Sequence, residues 1–189
     1  MAEKISGDAS RELARELEAL GGLDVEQCYQ CGKCTAGCPV AEEMDLAPNH
    51  VVHLCQTGER ERALRSKTIW VCAACQTCMT RCPQEFDIAR LMDTLRQICH
   101  REGKVHPDAA GVPHFYEAFL EVTKRLGRLS EVGLTAIYKL KRFPKELWND
   151  VPNAPGMLGR RKLPLLPRRI HGAGHVGTIV ARCMKEYRE

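Results

Sequence analysis

Leu13, Leu17 and Leu20 share one helical face of the segment Ser10–Leu20, charged residues fill the positions between them, and Gly21–Gly22 supply a stop. A packing helix is predicted there. Farther on, Pro48 suits the first turn of a helix, after which Val51, Leu54 and Cys55 recur at helical spacing up to Gly58. A second short helix is expected over Glu59–Ser66. Asp87 reads as an N-cap ahead of Ile88, Leu91, Leu95 and Ile98, with Gly103 as terminator. Pro113 opens a helix carrying Phe115, Phe119, Val122 and Leu126, another covers Glu131–Lys141, and a short terminal one is expected over Val176–Tyr187. Pro144, Pro152, Pro155, Pro164 and Pro167, with Gly156, Gly159, Gly172, Gly174 and Gly177, predict an extended arm ordered by packing on something else.

The apolar rows repeat at a fixed offset. Forty-four positions carry Val51 onto Leu95, Leu54 onto Ile98 and Cys55 onto Cys99. The same step carries Cys28 onto Cys72 and Cys38 onto Cys82. Two copies of a cysteine loop followed by a helix imply approximate two-fold symmetry. The spacer between the two cysteine loops reads helical, with no short strands, so an all-α fold is expected. The division is an N-terminal helix (1–22), an alpha-helical domain holding both cysteine loops (23–105), and a helical region with an extended partner-docking tail (106–189).

Composition changes the picture in two places. With 44% hydrophobic but only 5% aromatic residues, the core of this 189-residue chain is mainly aliphatic. The net charge of +4 is unevenly spread: residues 1–60 carry 5 basic and 11 acidic side chains, residues 111–189 carry 15 and 7. Such asymmetry reads as faces for different partners or as a solvated basic tail. The amino terminus has no apolar signal region and no stretch is long enough to span a membrane, so a cytoplasmic, reducing setting is expected for the eleven cysteines.

Eight of those cysteines carry the chemistry. Cys28, Cys31, Cys34 and Cys38 precede Pro39, and Cys72, Cys75, Cys78 and Cys82 precede Pro83. Each run reads C-x2-C-x2-C-x3-C-P, the two-cluster ferredoxin pattern, in which the fourth cysteine ligates the other cluster. Two [4Fe–4S] clusters are therefore expected, one on Cys28, Cys31, Cys34 and Cys82, the other on Cys72, Cys75, Cys78 and Cys38. Zinc ribbons need neither the third cysteine nor the Cys-Pro ending. Cys55 and Cys99 read as buried small hydrophobes and Cys183 as incidental. Trp70 is expected to shield a cluster from water, and His50 and His53 to be surface or packing residues. No nucleotide-binding, hydrolase or metalloprotease motif is present, nor an adjacent Cys-Cys pair, so no catalytic residue is expected. The basic residues near Lys139–Lys145 and Arg160–Lys162 lack stacking aromatics, which argues against nucleic-acid binding.

With these residues in view, the chain resembles the C subunit of heterodisulfide reductase and its relatives. The resemblance is carried by Cys28-Tyr29-Gln30-Cys31-Gly32-Lys33-Cys34-Thr35-Ala36-Gly37-Cys38-Pro39, by Ile69-Trp70-Val71-Cys72, by Gly127-Arg128-Leu129-Ser130-Glu131, and by Lys162-Leu163-Pro164-Leu165-Leu166-Pro167. It implies a non-catalytic electron relay between two partner subunits. One is the flavin-containing A subunit, a flavoprotein; the other is the cysteine-rich catalytic B subunit, which reduces the mixed disulfide of coenzymes M and B. The cysteine motifs are shared with the iron–sulfur subunits of quinone-linked dehydrogenases, which is the alternative assembly. A structural or redox-sensing iron–sulfur module is the alternative of another class.

Overall fold

The computed structural model describes residues 7–142 and 168–186. The chain divides into two compact units, Met1–Ala109 and Ala110–Glu189. It is all-α: among the described residues every regular element is helical. No helix among them is long and apolar enough to cross a membrane.

The first unit contains α1 (Gly7–Gly21), α2 (Lys33–Ala36), α3 (Pro48–Thr57), α4 (Arg60–Leu64), α5 (Thr68–Val71), α6 (Thr77–Thr80) and α7 (Ile88–Arg101). Pro48 does open α3, where its fixed φ suits the first turn and its missing N–H costs no bond. Asp87 caps α7, its carboxylate accepting from the Arg90 amide at 2.9 Å. The repeat is visible in what these two helices bury. Val51 and Leu95, Leu54 and Ile98, and Cys55 and Cys99 are each at most 1% exposed. Burial pushes the Cys55 thiol up to about 12, so it stays a neutral packing group.

Helix α1 packs on α3 and α7 and buries Leu13 and Leu17. Leu20, expected on the same face, is 44% exposed. The chain turns at Gly22, and Leu23 fills the space beneath the helix end: a Cβ on Gly21 would lie 2.7 Å from Leu23 Cδ1. Each fully buried leucine or isoleucine contributes about 1.5–3 kcal/mol. Leu54, Leu64, Ile69, Leu91 and Leu95 complete this aliphatic core. Around its rim, Arg60 bridges Glu16 (2.5 Å) and Glu102, and Lys104 joins Glu102 (2.6 Å) to Glu61. These pairs are partly exposed and contribute only about 0.2–1 kcal/mol each, so they orient the ends of α1, α4 and α7 more than they hold them together.

The second unit contains α8 (Gly111–Leu126), α9 (Glu131–Arg142) and α10 (Ala173–Glu186), with α8 packed on both others. Pro113, Ala118 and Val122 are buried, whereas Phe115 stays 41% exposed in edge-to-face contact with Tyr116 and Tyr138. Gly174 and Gly177, read as breakers, lie inside α10, which begins three residues earlier than expected. A Cβ on Gly177 would sit 2.9 Å from the Lys124 carbonyl oxygen, so the missing side chain sets how closely α10 passes α8. The proline-rich part of the expected arm, with Pro144, Pro152, Pro155, Pro164 and Pro167, lies outside the described residues.

The stretch Gly127–Glu131 has a local physical reason. Gly127 ends α8 at φ +74°, a left-handed conformation that costs any other residue. Ser130 then caps α9, its hydroxyl accepting from the Gly133 amide at 3.3 Å. A Cβ on Gly127 would also come within 2.5 Å of Ile170 Cγ1. Gly127→Ala should therefore destabilise the second unit by about 1–3 kcal/mol through backbone strain and overpacking. Hydrogen exchange resolved along the chain should report faster exchange in α8–α10 and unchanged protection in α3 and α7.

Candidate iron–sulfur site

Each cysteine motif is wound by left-handed residues and a single helical turn. In the first, Gln30 (φ +60°) and Gly32 (φ +75°) reverse the chain on either side of Cys31, and α2 then carries Cys34. In the second, the equivalent positions are Ala74 (φ +50°) and Gln76 (φ +63°), and α6 carries Cys78. Glycine suits that conformation without strain, so the first loop reaches it at lower cost than the second.

The sulfur environments repeat as well. The Lys33 amide pulls the exposed Cys31 thiol down, with help from the Tyr29 hydroxyl and the Lys33 ammonium. At the matching place, the Thr77 hydroxyl (3.4 Å) and amide pull Cys75 down. Amide donors aimed at sulfur favour the thiolate, the form that binds iron. Burial pushes Cys28 and Cys34 up and takes Cys78 to about 11. Metal binding at those positions must release protons.

Neighbouring thiols also raise one another, and the pattern shows which lie together. Cys28 is raised, after burial, by Cys82 and Cys31, and Cys34 by Cys28. Cys82 follows α6 in sequence yet sits in the field of the first motif. Cys78 feels Cys72 and, more weakly, Cys34, so the two groups adjoin. The contact of α2 with α6 brings this about.

A cavity in the second half is lined by Cys72, Cys75 and Cys78 together with Cys38, the last cysteine of the first motif. Its other walls include Met44, Pro48, Ile88 and Met92, and almost all of its surface is apolar. Among the described residues no three cysteine, histidine or carboxylate side chains converge on a point that a single ion could hold. Four thiols from two chain segments around one apolar cavity, with amide donors at the sulfurs, fit the needs of an iron–sulfur cube.

Side chains from elsewhere hold the loops in shape. The Gln56 amide donates to the carbonyls of Val25 (2.8 Å) and Cys28 (2.7 Å). The Gln30 amide donates to Gln56 (3.0 Å) and lies 3.5 Å from the Cys28 sulfur, and Asn49 joins Gln30 to Thr35. In the second half Arg96 donates to the carbonyls of Ile69 and Cys72. Asp45 accepts from the Ser66 hydroxyl (2.9 Å) and the amides of Lys67 (2.9 Å) and Thr68 (2.8 Å), capping α5 just before Cys72. Partial burial resists its ionisation, but these donors outweigh that and lower its pKa to about 2. Since the folded value lies below the unfolded one, the stabilisation is complete above the ordinary carboxylate range and is lost as the pH falls through about 2.

Residues 24–86 match the family described as a 4Fe-4S dicluster domain. The chain is 27% identical over 151 residues to the C subunit of the H(2):CoB-CoM heterodisulfide,ferredoxin reductase of Methanothermobacter marburgensis, covering 75% of this chain and 79% of that protein. It is 31% identical over 148 residues to the C subunit of the Ferredoxin:CoB-CoM heterodisulfide reductase of Methanosarcina acetivorans, covering 77% and 55%. Over 81 residues it is 35% identical to an iron-sulfur C subunit, the one numbered 2, of the CoB--CoM heterodisulfide reductase of Methanocaldococcus jannaschii, covering 43% of each. The matched domain and these relatives together support a family like that of the heterodisulfide reductase C subunits. The dicluster domain and the relatives' names support an iron–sulfur protein with an electron-transfer role.

Several of these residues were not singled out in the sequence. Gln56, Arg96 and Asp45 carry no motif, and no local pattern in the chain marks them. Trp70 does not line the cavity; it is buried, its indole N–H has no hydrogen-bond partner among the described residues, and burial pushes the Cys99 thiol up. His53 faces solvent, His50 is half-buried, and neither lines the cavity. Cys183 is exposed on α10.

Asp45→Ala should lower the stability of the first unit by about 1–2 kcal/mol, the cost of losing a charged cap. Thermal unfolding at neutral pH measures it; an unchanged midpoint would mean that the cap contributes nothing.

Proposed function

We propose that the chain binds two [4Fe–4S] clusters, with Cys28, Cys31, Cys34 and Cys82 holding one and Cys72, Cys75, Cys78 and Cys38 the other. The observation that carries this reading is that Cys38 shares a cavity with Cys72, Cys75 and Cys78, while Cys82 lies in the field of Cys28. Such clusters supply one-electron transfer, with no bond made or broken in the protein. The work of the chain is then to hold and to insulate. Eight thiolates grip the iron, the amides of Lys33 and Thr77 point at Cys31 and Cys75, and Met44, Ile88 and Met92 exclude water from the second cavity. The adjoining of Cys34 and Cys78 favours rapid passage between the two sites.

In this reading the protein is the relay subunit of a heterodisulfide-reductase-type complex. It takes electrons from a flavoprotein, the flavin-containing A subunit, and delivers them to the cysteine-rich B subunit, which reduces a disulfide. The names of the relatives support that assignment, since each is the C subunit of a reductase of the CoB–CoM heterodisulfide. The net-basic region 106–189 is the side assigned to partner docking. Exposed Cys31 and Cys75 call for a reducing compartment, so the cytoplasm is its assigned site.

Paired variants test the ligand scheme. Cys38→Ser and Cys72→Ser should lose the same cluster signal in EPR, with about half of the iron, while Cys82→Ser and Cys28→Ser should lose the other. If Cys38→Ser instead removes the signal that Cys28→Ser removes, the crossed ligation is wrong. Anaerobic purification of the tagged chain should bring down a flavoprotein and a Cys-Cys-rich protein; a chain that purifies alone would defeat the relay assignment.

A further inference from the structure

The two halves satisfy the same pair of carbonyls with different chemistry. The 44-residue offset carries Val25 onto Ile69 and Cys28 onto Cys72. In the first half both carbonyls accept from Gln56, a neutral amide; in the second both accept from Arg96, a cation. The donors come from non-equivalent places, because the offset carries Gln56 onto His100 and Val52 onto Arg96. A neutral amide is therefore sufficient for the hydrogen bonding. What the guanidinium adds is a positive charge.

That charge is placed to act. Arg96 is half-buried, no carboxylate among the described residues pairs with it, and the carbonyl it grips belongs to Cys72, which lines the second cavity. The cations near the first motif, Lys33 and Arg81, are exposed, where water and salt screen them. A cation near an iron–sulfur group favours its more electron-rich state.

We propose that Arg96 raises the reduction potential of the cluster held by Cys72, Cys75 and Cys78, so that an electron entering the pair comes to rest there. This rests on the two-cluster reading above. Reduction adds one electron to the cluster and requires no proton or leaving group; in the test, dithionite supplies it. Arg96 acts through its field, as a positioning residue for charge and not as a ligand.

The decisive variant transplants the neutral cap of the first half into the second: Arg96→Val with His100→Gln. Arg96→Gln serves as a second neutral variant and Arg96→Lys as the charge-keeping one. Each is prepared anaerobically, its iron content is measured, and the two cluster signals, assigned by the cysteine variants, are titrated by EPR. The neutral variants should lower the reduced-to-oxidised ratio of the second-motif cluster about tenfold at fixed poise, about 59 mV for a one-electron couple. The first-motif cluster should not move, and Arg96→Lys should stay near the parent value. Fully loaded neutral variants with unmoved potentials, or with both potentials moved alike, would overturn the proposal. So would loss of second-motif iron in both neutral variants, which would make Arg96 a structural cap. Wild-type protein carrying iron for fewer than two clusters would sink the two-cluster reading itself, a separate result.

Discussion

A loop that wraps a metal cluster gives up regular backbone pairing for curvature, and its carbonyls must find donors from elsewhere. In both motifs left-handed residues break the run of local hydrogen bonds just where the cysteines are densest. Buried carbonyls without donors would cost about 1–3 kcal/mol each. The two helices that follow the motifs answer this need: α3 sends Gln56 to the first loop and α7 sends Arg96 to the second. Asp45 performs the reciprocal task for amide donors at the start of α5. The positions of the thiols follow from these few polar contacts.

The apolar core makes those contacts possible by fixing where α3 and α7 run. Leu54 and Val51 on one helix and Leu95 and Ile98 on the other are fully buried, and α1 covers them with Leu13 and Leu17. The long polar side chains then emerge from a rigid base. The surface ion pairs around Arg60 and Lys104 add orientation at the rim, at the modest energies of partly exposed charges. The second unit is built differently: among its described residues few large side chains are buried, and small residues sit at the close approaches. Gly127 turns the chain, Ser130 restarts the helix, and Gly177 lets α10 pass close to α8.

Asymmetry within the repeat is the more informative property for a relay. Two identical sites would hold an electron equally well. Here the first loop has a glycine where the second has Gln76, a Tyr29 hydroxyl where the second has Ala73, and a neutral cap where the second has a guanidinium. Each difference changes charge, hydration or hydrogen bonding at one site alone, and those are the levers by which a protein tunes an iron–sulfur potential.

The sequence by itself determined the elements and their chemistry. The C-x2-C-x2-C-x3-C-P runs, the proline at the start of α3, the Asp87 cap and the 44-residue rhythm of buried positions are all local or periodic signals, and helix geometry converts period into face. It misjudged Leu20, because which residue fills the end of a helical groove depends on how the following chain turns. It started the terminal helix after Gly174 and counted Gly177 among the breakers, because a glycine that lets two helices pass closely, as Gly177 does, looks the same as one that ends a helix. Tertiary structure alone decided that Gln56 and Arg96, from non-matching positions, reach matching carbonyls. Such contacts depend on the crossing of two helices and the reach of a long side chain, and no local pattern in the chain encodes either.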